Sequence, residues 1–172
     1  MGGACKSPDA WWASGVQTNV PVAQLTGWTP CYQGLYSAGG ASIAGLLASC
    51  SKAKLLLACR PGGGGALAVL AMAPRGDVTF DTGSSNQPHD ANGVGWYFSG
   101  NFSWGFAPQG AAIARNECDT IGSSFDGYGG PQKEKRLCWH TLGGGVNPGW
   151  RCGATDNLNV AAGWERLVFH AD

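Results

Sequence analysis

The 172-residue sequence predicts an all-β fold with one short helix, arranged as a single disulfide-stabilised domain: a β-sandwich or barrel of about eight strands. Three observations carry this expectation. Short apolar runs are separated by Gly-, Pro- and Asn-rich turn segments, which is the rhythm of antiparallel strands. Only one segment has helical periodicity. Seven cysteines are spread along a chain that also carries 29 glycines, and no two have CxxC spacing. That usage fits a disulfide framework in an oxidising compartment and does not fit a metal site.

Residues 1–20 read as an irregular N-terminal segment in which Trp11-Trp12 can pack onto the domain formed by residues 21–172. A strand-like stretch follows around Trp28, Cys31, Tyr32 and Leu35. Ile43, Leu46, Leu47 and Cys50 then recur at helical spacing, with Ser42 placed to cap a helix of about three turns. Residues 54–60 and 66–72 are apolar runs joined by the turn-forming stretch 61–65, which predicts a hairpin buried on both faces. Val78 and Phe80 alternate within 77–81 and suggest a third strand. Residues 93–99 and 102–106, divided by Gly100-Asn101, predict a second hairpin whose aromatic residues alternate with period two. Segments 136–141, 149–152 and 163–170 complete the set. In the last, Glu165, Leu167 and Phe169 share one face, while Trp164, Arg166, Val168 and His170 share the other.

Acidic and basic residues balance at 11 each, and no basic stripe suits nucleic acid. No apolar run is long enough to span a membrane as a helix. Near-zero net charge gives little self-repulsion and leaves a homo-oligomer open. The first residues lack the charged and apolar regions of a signal peptide, so the extracellular location that the cysteines suggest calls for a leader outside this sequence or another export route, and the alternative is a cytosolic protein with seven thiols. Six cysteines, Cys31, Cys50, Cys59, Cys118, Cys138 and Cys152, are assigned to three bridges. Cys118–Cys138 is the first pairing expected and Cys31–Cys50 the second. Cys5, in a Gly-rich terminus, is the expected free or interchain thiol.

The runs Gly27-Trp-Thr-Pro-Cys-Tyr32, Leu57-Ala-Cys-Arg60, Ala71-Met-Ala-Pro-Arg75, Ala91-Asn-Gly-Val-Gly-Trp-Tyr97, Trp104-Gly-Phe-Ala-Pro108, Arg136-Leu-Cys-Trp-His-Thr141 and Gly149-Trp-Arg-Cys-Gly153 carry a resemblance. Over residues 25–170 the chain resembles a type of secreted, disulfide-bonded bacterial surface protein of no known activity. The resemblance implies export and a single domain, and it brings no catalytic residues.

Asp77, Asp81, His89 and Asp90 bring carboxylates and an imidazole close in sequence, which is the raw material of acid–base chemistry in a small hydrolase. Asp81-Thr82-Gly83 resembles the aspartic-protease triplet, but a pepsin-like enzyme needs two such triplets and this chain has one. Asp90-Ala91-Asn92-Gly93 resembles the opening of a calcium loop and lacks the distal Glu, so calcium is the one cofactor left open and none is expected. Cys138-Trp139-His140 puts a thiol and an imidazole on one strand face, a pattern that fits a disulfide beside a packed ring better than a nucleophile pair. Arg75-Gly76-Asp77 spells an adhesion tripeptide in a turn after Pro74.

The aromatic hairpin is the strongest functional lead among eight tryptophans. Exposed rings beside planar polar groups hold sugars by stacking and hydrogen bonding. Trp96, Tyr97, Trp104, His89, Asp90 and Asn92 form the candidate ligand-binding set, with no catalytic residue and no metal ligand. Trp96, flanked by Gly93 and Gly95, is the better platform candidate, and Trp104, sharing a face with Phe102 and Phe106, the better core candidate. The sequence thus favours a secreted, non-enzymatic module binding a carbohydrate or cell-surface glycan. A structural subunit of an extracellular filament or surface assembly is the first alternative and a small hydrolase the second.

Overall fold

Two apolar runs with a glycine-rich turn between them form the centre of the structure. They are β4 (Lys54–Arg60) and β5 (Leu67–Pro74), paired antiparallel. The computed structural model describes residues 9–114, 132–159 and 163–172. The other strands are β1 (Gln17–Val20), β2 (Thr29–Leu35), β3 (Ala41–Ser42), β6 (His89–Ala91), β7 (Val94–Phe98), β8 (Ser103–Pro108), β9 (Leu137–Leu142), β10 (Gly145–Cys152) and β11 (Glu165–Ala171), with helices α1 (Ile43–Ser49) and α2 (Arg75–Val78).

The strands form two open antiparallel sheets. One has the order β1-β5-β4-β11-β2 and the other β3-β10-β9-β8-β7-β6. Their facing sides meet in one core. Leu55, Leu57, Val69, Ala71 and Val168 of the first sheet pack with Val94, Trp96, Trp104, Phe106, Leu137 and Trp139 of the second. Of the all-β sandwich or barrel expected from the sequence, the sandwich is the fold. Eight of the eleven strands among the described residues are the ones expected. The additional three, β1, β3 and β6, are two to four residues long and lie at sheet edges. Such short strands are defined by a partner and not by a pattern of their own. β1 also replaces the end of the expected irregular N-terminal segment.

Both faces of the β4–β5 hairpin are buried, as its lack of alternation implies. Its second face, with Leu56, Ala58, Leu70 and Met72, is covered by Leu25 and Trp28, and Trp11 packs on this cluster. The Trp28 indole donates to the Trp11 carbonyl at 2.7 Å. In β11 the face assignment holds. Val168 enters the central core, and Leu167 and Phe169 enter the outer cluster. Arg166 shares the inward face and is buried, with Nη1 donating to Leu35 O and Ala38 O, and Nη2 to Tyr36 O, Asn147 O and Gly149 O. The carbonyl set offsets the cost of burying the guanidinium.

The expected helix is α1. It is one turn shorter than its apolar spacing implied, because Cys50 is its C-cap. The Ser42 hydroxyl accepts from Gly45 N at 3.2 Å, as an N-cap serine should. Ser42→Ala is expected to lower stability by about 1 kcal/mol without changing activity of any kind, which urea unfolding of the variant checks.

Residues 77–81 correct the sequence reading. Arg75–Val78 is a single helical turn capped by Thr79, and no strand forms there. Two apolar residues at i and i+2 do not by themselves distinguish a strand from a turn. Val78 enters the core, while the Arg75 guanidinium donates to Leu47 O and Cys50 O at the end of α1. The Arg75-Gly76-Asp77 tripeptide is thus a tethered turn whose two charged ends are both engaged within the fold.

Cys31–Cys50 is the pairing anticipated as second choice, and it ties β2 to the end of α1. Cys59–Cys152 joins β4 of one sheet to β10 of the other. Cys138 is also disulfide-bonded. The expected partner Cys118 and the expected spare thiol Cys5 lie outside the described residues. Among the described residues, no helix is long and apolar enough to cross a membrane.

Candidate functional site

Asn92-Gly93 is the local signal that assembles the site. Ala91 pairs with Val94 across these two residues, whose φ values are 52° and 74°. Both are positive, as a type I′ hairpin turn requires, and Asn-Gly tolerates that backbone best. The turn folds β6 back onto β7 and sets His89 opposite Trp96. β6 is the edge of its sheet, so its alternate side chains flank an open margin.

His89 meets Asp77 of α2 and Phe80, the residue after that helix's C-cap Thr79. Its Nε2–H donates to Asp77 Oδ1 at 2.8 Å, because a carboxylate can only accept. Its ring stacks on Phe80, with centroids 4.0 Å apart and planes 11° from parallel. Phe80 is nevertheless 50% exposed. One ring face therefore lies on the imidazole and the other is open. Around it Phe80, Asp81, Thr82, Ser85, Gln87, Pro88 and His89 line a shallow depression of about 310 Å³.

The loop between α2 and β6 is ordered by its own polar groups. Asp81 Oδ1 accepts from Gly83 N at 2.7 Å, and Ser85 Oγ accepts from Gln87 N at 3.0 Å. These are local side-chain turns of the kind Asp and Ser favour. Thr82 anchors the loop to the end of β7 through backbone and hydroxyl bonds with Phe98. Asp81-Thr82-Gly83 is accordingly a turn within the depression's rim.

The aromatic hairpin does not present a platform. Trp96 is 1% exposed, and Tyr97 and Trp104 are fully buried. The sequence reading of Trp96, Tyr97 and Trp104 as ligand-stacking rings is corrected on this point; Trp104 as core was the right half of it. Period-two alternation put rings on both faces of the hairpin, and both faces acquired a cover. The inner face meets the opposite sheet. On the outer face Tyr97, Ala107 and Cys138 cluster with Ile113, and Ala111 and Trp150 pack against them.

The buried indoles instead hold the site from behind. Trp104 Nε1 donates to Val78 O at 3.1 Å, fixing the helical turn that carries Asp77. Trp96 Nε1 donates to Ala91 O at 3.2 Å, fixing the strand that carries His89. The candidate Asn92 is also structural. Its Nδ2 donates to Ala13 O at 2.9 Å and to Met72 O at 2.8 Å, which locks the turn to the N-terminal segment. Asp90 is exposed and lies on the opposite side of β6 from His89.

Asp90-Ala91-Asn92-Gly93 is a strand end and hairpin turn, and among the described residues no group of three or more His, Cys, Asp or Glu is placed to hold a metal ion. Cys138 is a disulfide cysteine, and His140 stacks on Trp150 at 5.8 Å. Burial pushes the His140 pKa below its ordinary value, since desolvation disfavours the imidazolium.

Phe80 is the site residue that the sequence reading missed. Its signal was a lone aromatic in a polar, turn-forming stretch, and assignment of that stretch to a strand hid it. No family model matches the chain, and neither a curated protein nor a solved structure compared with it matches.

Proposed function

We propose that the protein is an exported, non-enzymatic binding module for carbohydrate, and that its sugar-facing surface is the Phe80–His89 rim. The observation that carries this reading is the outward face of Phe80. An aromatic ring backed by an imidazole, itself oriented by Asp77, is a rigid apolar platform for the C–H face of a pyranose. Asp81, Thr82, Ser85 and Gln87 supply polar groups around it for hydroxyls. A site with one apolar wall and a few fixed polar groups is the usual form of a small-ligand site. Two disulfide-linked cysteine pairs in a sandwich that already has a full core fit an extracellular setting.

Phe80→Ala is the test. The variant is expected to keep its stability to within about 1 kcal/mol, as exposed substitutions do, and to lose glycan capture on an array of immobilised oligosaccharides. Retained capture by a folded Phe80→Ala protein would remove the platform from this reading. A His89→Ala variant with full capture would remove the role given to the imidazole.

A further inference from the structure

Beyond the Gln87-Pro88 segment lies a second depression, of about 390 Å³, lined by Asn86, Gln87, Pro88, Asp90, Gly110, Ala111, Ala112 and Ile113. Gln87 and Pro88 belong to both depressions and form the ridge between them. The alternation of edge strand β6 explains the arrangement. His89 lines the first depression and Asp90 the second. Each is at the small end of the size range of small-molecule sites, roughly 300 Å³ and upward, so each suits one unit of a chain better than a whole large ligand.

Among the described residues, the carboxylates at the groove have no cationic counterpart in its lining. Asp77 and Asp81 stand at the first depression and Asp90 at the second. Among the described residues no Lys or Arg lines either one. Two guanidiniums nearby in the sequence or the fold are engaged by backbone carbonyls. Arg75 donates to Leu47 O and Cys50 O, and Arg136 donates to Ala112 O at 2.9 Å. His89, the only other titratable group among the described residues that line the two depressions, donates to Asp77. A carboxylate rim of this kind repels sulfated, sialylated or uronic-acid chains and attracts ammonium groups.

Resting on the glycan reading above, we infer that the groove takes an extended oligosaccharide of neutral or amine-bearing sugars, with one unit on Phe80 and the neighbouring unit across the Gln87-Pro88 ridge beside Asp90. Two linked contacts make the second binding event intramolecular, so affinity rises with chain length until both depressions are filled.

The test is isothermal titration of the protein with neutral and deacetylated amino-sugar oligosaccharides of increasing length, their monosaccharides, and sulfated counterparts. Oligomers are expected to bind at least roughly tenfold more tightly than their monosaccharides. Asp90→Ala should erase most of that gain, whereas Phe80→Ala should weaken monosaccharide and oligomer binding alike. Sulfated chains should bind more weakly than neutral ones at low salt, with the difference shrinking as salt is added. Equal affinity for monomer and oligomer overturns the two-unit inference, as does an Asp90→Ala protein with the full chain-length gain. A preference for sulfated chains overturns the charge assignment. Absence of binding to every saccharide removes the glycan reading itself, an outcome distinct from the other three.

Discussion

Trp104→Ala is expected to destabilise the protein by about 3–5 kcal/mol, one of the largest single-residue effects available in this fold. The indole is fully buried and makes edge-on contacts with Trp139 at 5.5 Å and Phe98 at 5.2 Å. Truncation removes its burial, leaves a cavity between the sheets and orphans the Val78 carbonyl that the indole N–H now satisfies. Urea unfolding of the purified variant measures the loss. The effect also reaches the candidate site, because Val78 belongs to the turn that carries Asp77. A Trp104→Ala protein that remains folded is therefore expected to bind glycan more weakly, although Trp104 touches no ligand. A loss below about 1 kcal/mol would contradict the burial and restore the ring as a surface platform.

Removing the Cys59–Cys152 bridge by the double substitution Cys59→Ala, Cys152→Ala is expected to cost about 4–5 kcal/mol. The two residues are 93 positions apart, and both are buried. The bridge restrains a long loop in the unfolded chain and pins one sheet to the other in the folded one. The same treatment of Cys31–Cys50, with a separation of 19, is expected to cost about 3 kcal/mol, since loop-closure entropy grows with the logarithm of loop length. Unfolding of both variants without reductant checks the ordering. A greater loss from the shorter loop would show that local geometry at the end of α1, and not chain entropy, sets what these bridges contribute.

The contrast between Trp104 and Phe80 shows where sequence patterns stop. Both are aromatic, both lie near glycines, and alternation placed each on a face. The pattern states which side chains share a face and is silent about what covers it. For Trp104 the cover is the opposite sheet, built from β4, β5 and β11. For Tyr97 it includes Ile113, brought across the outer face from a loop. Phe80 stays half exposed with the His89 ring stacked on it, and that contact exists because Asn92-Gly93 turns β6 back beside β7.

What the sequence by itself determined was local. The continuous apolar runs of β4 and β5 dictated a hairpin buried on both faces. The i, i+3, i+4, i+7 spacing after Ser42 dictated α1 and its cap. The alternation in β7, β8 and β11 dictated which residues point together, and cysteine usage pointed to a disulfide framework, with sandwich and barrel both left open. These depend on neighbours within a few residues, where backbone geometry and side-chain chemistry act directly. The tertiary structure decided the edge strands β1, β3 and β6, the partner of Cys59, the helical turn at Arg75–Val78 and the exposure of each aromatic ring. Each of these depends on groups far apart in the chain. A two- to four-residue strand has no stability without its neighbour, and a ring is core or platform according to whether a distant segment removes it from water.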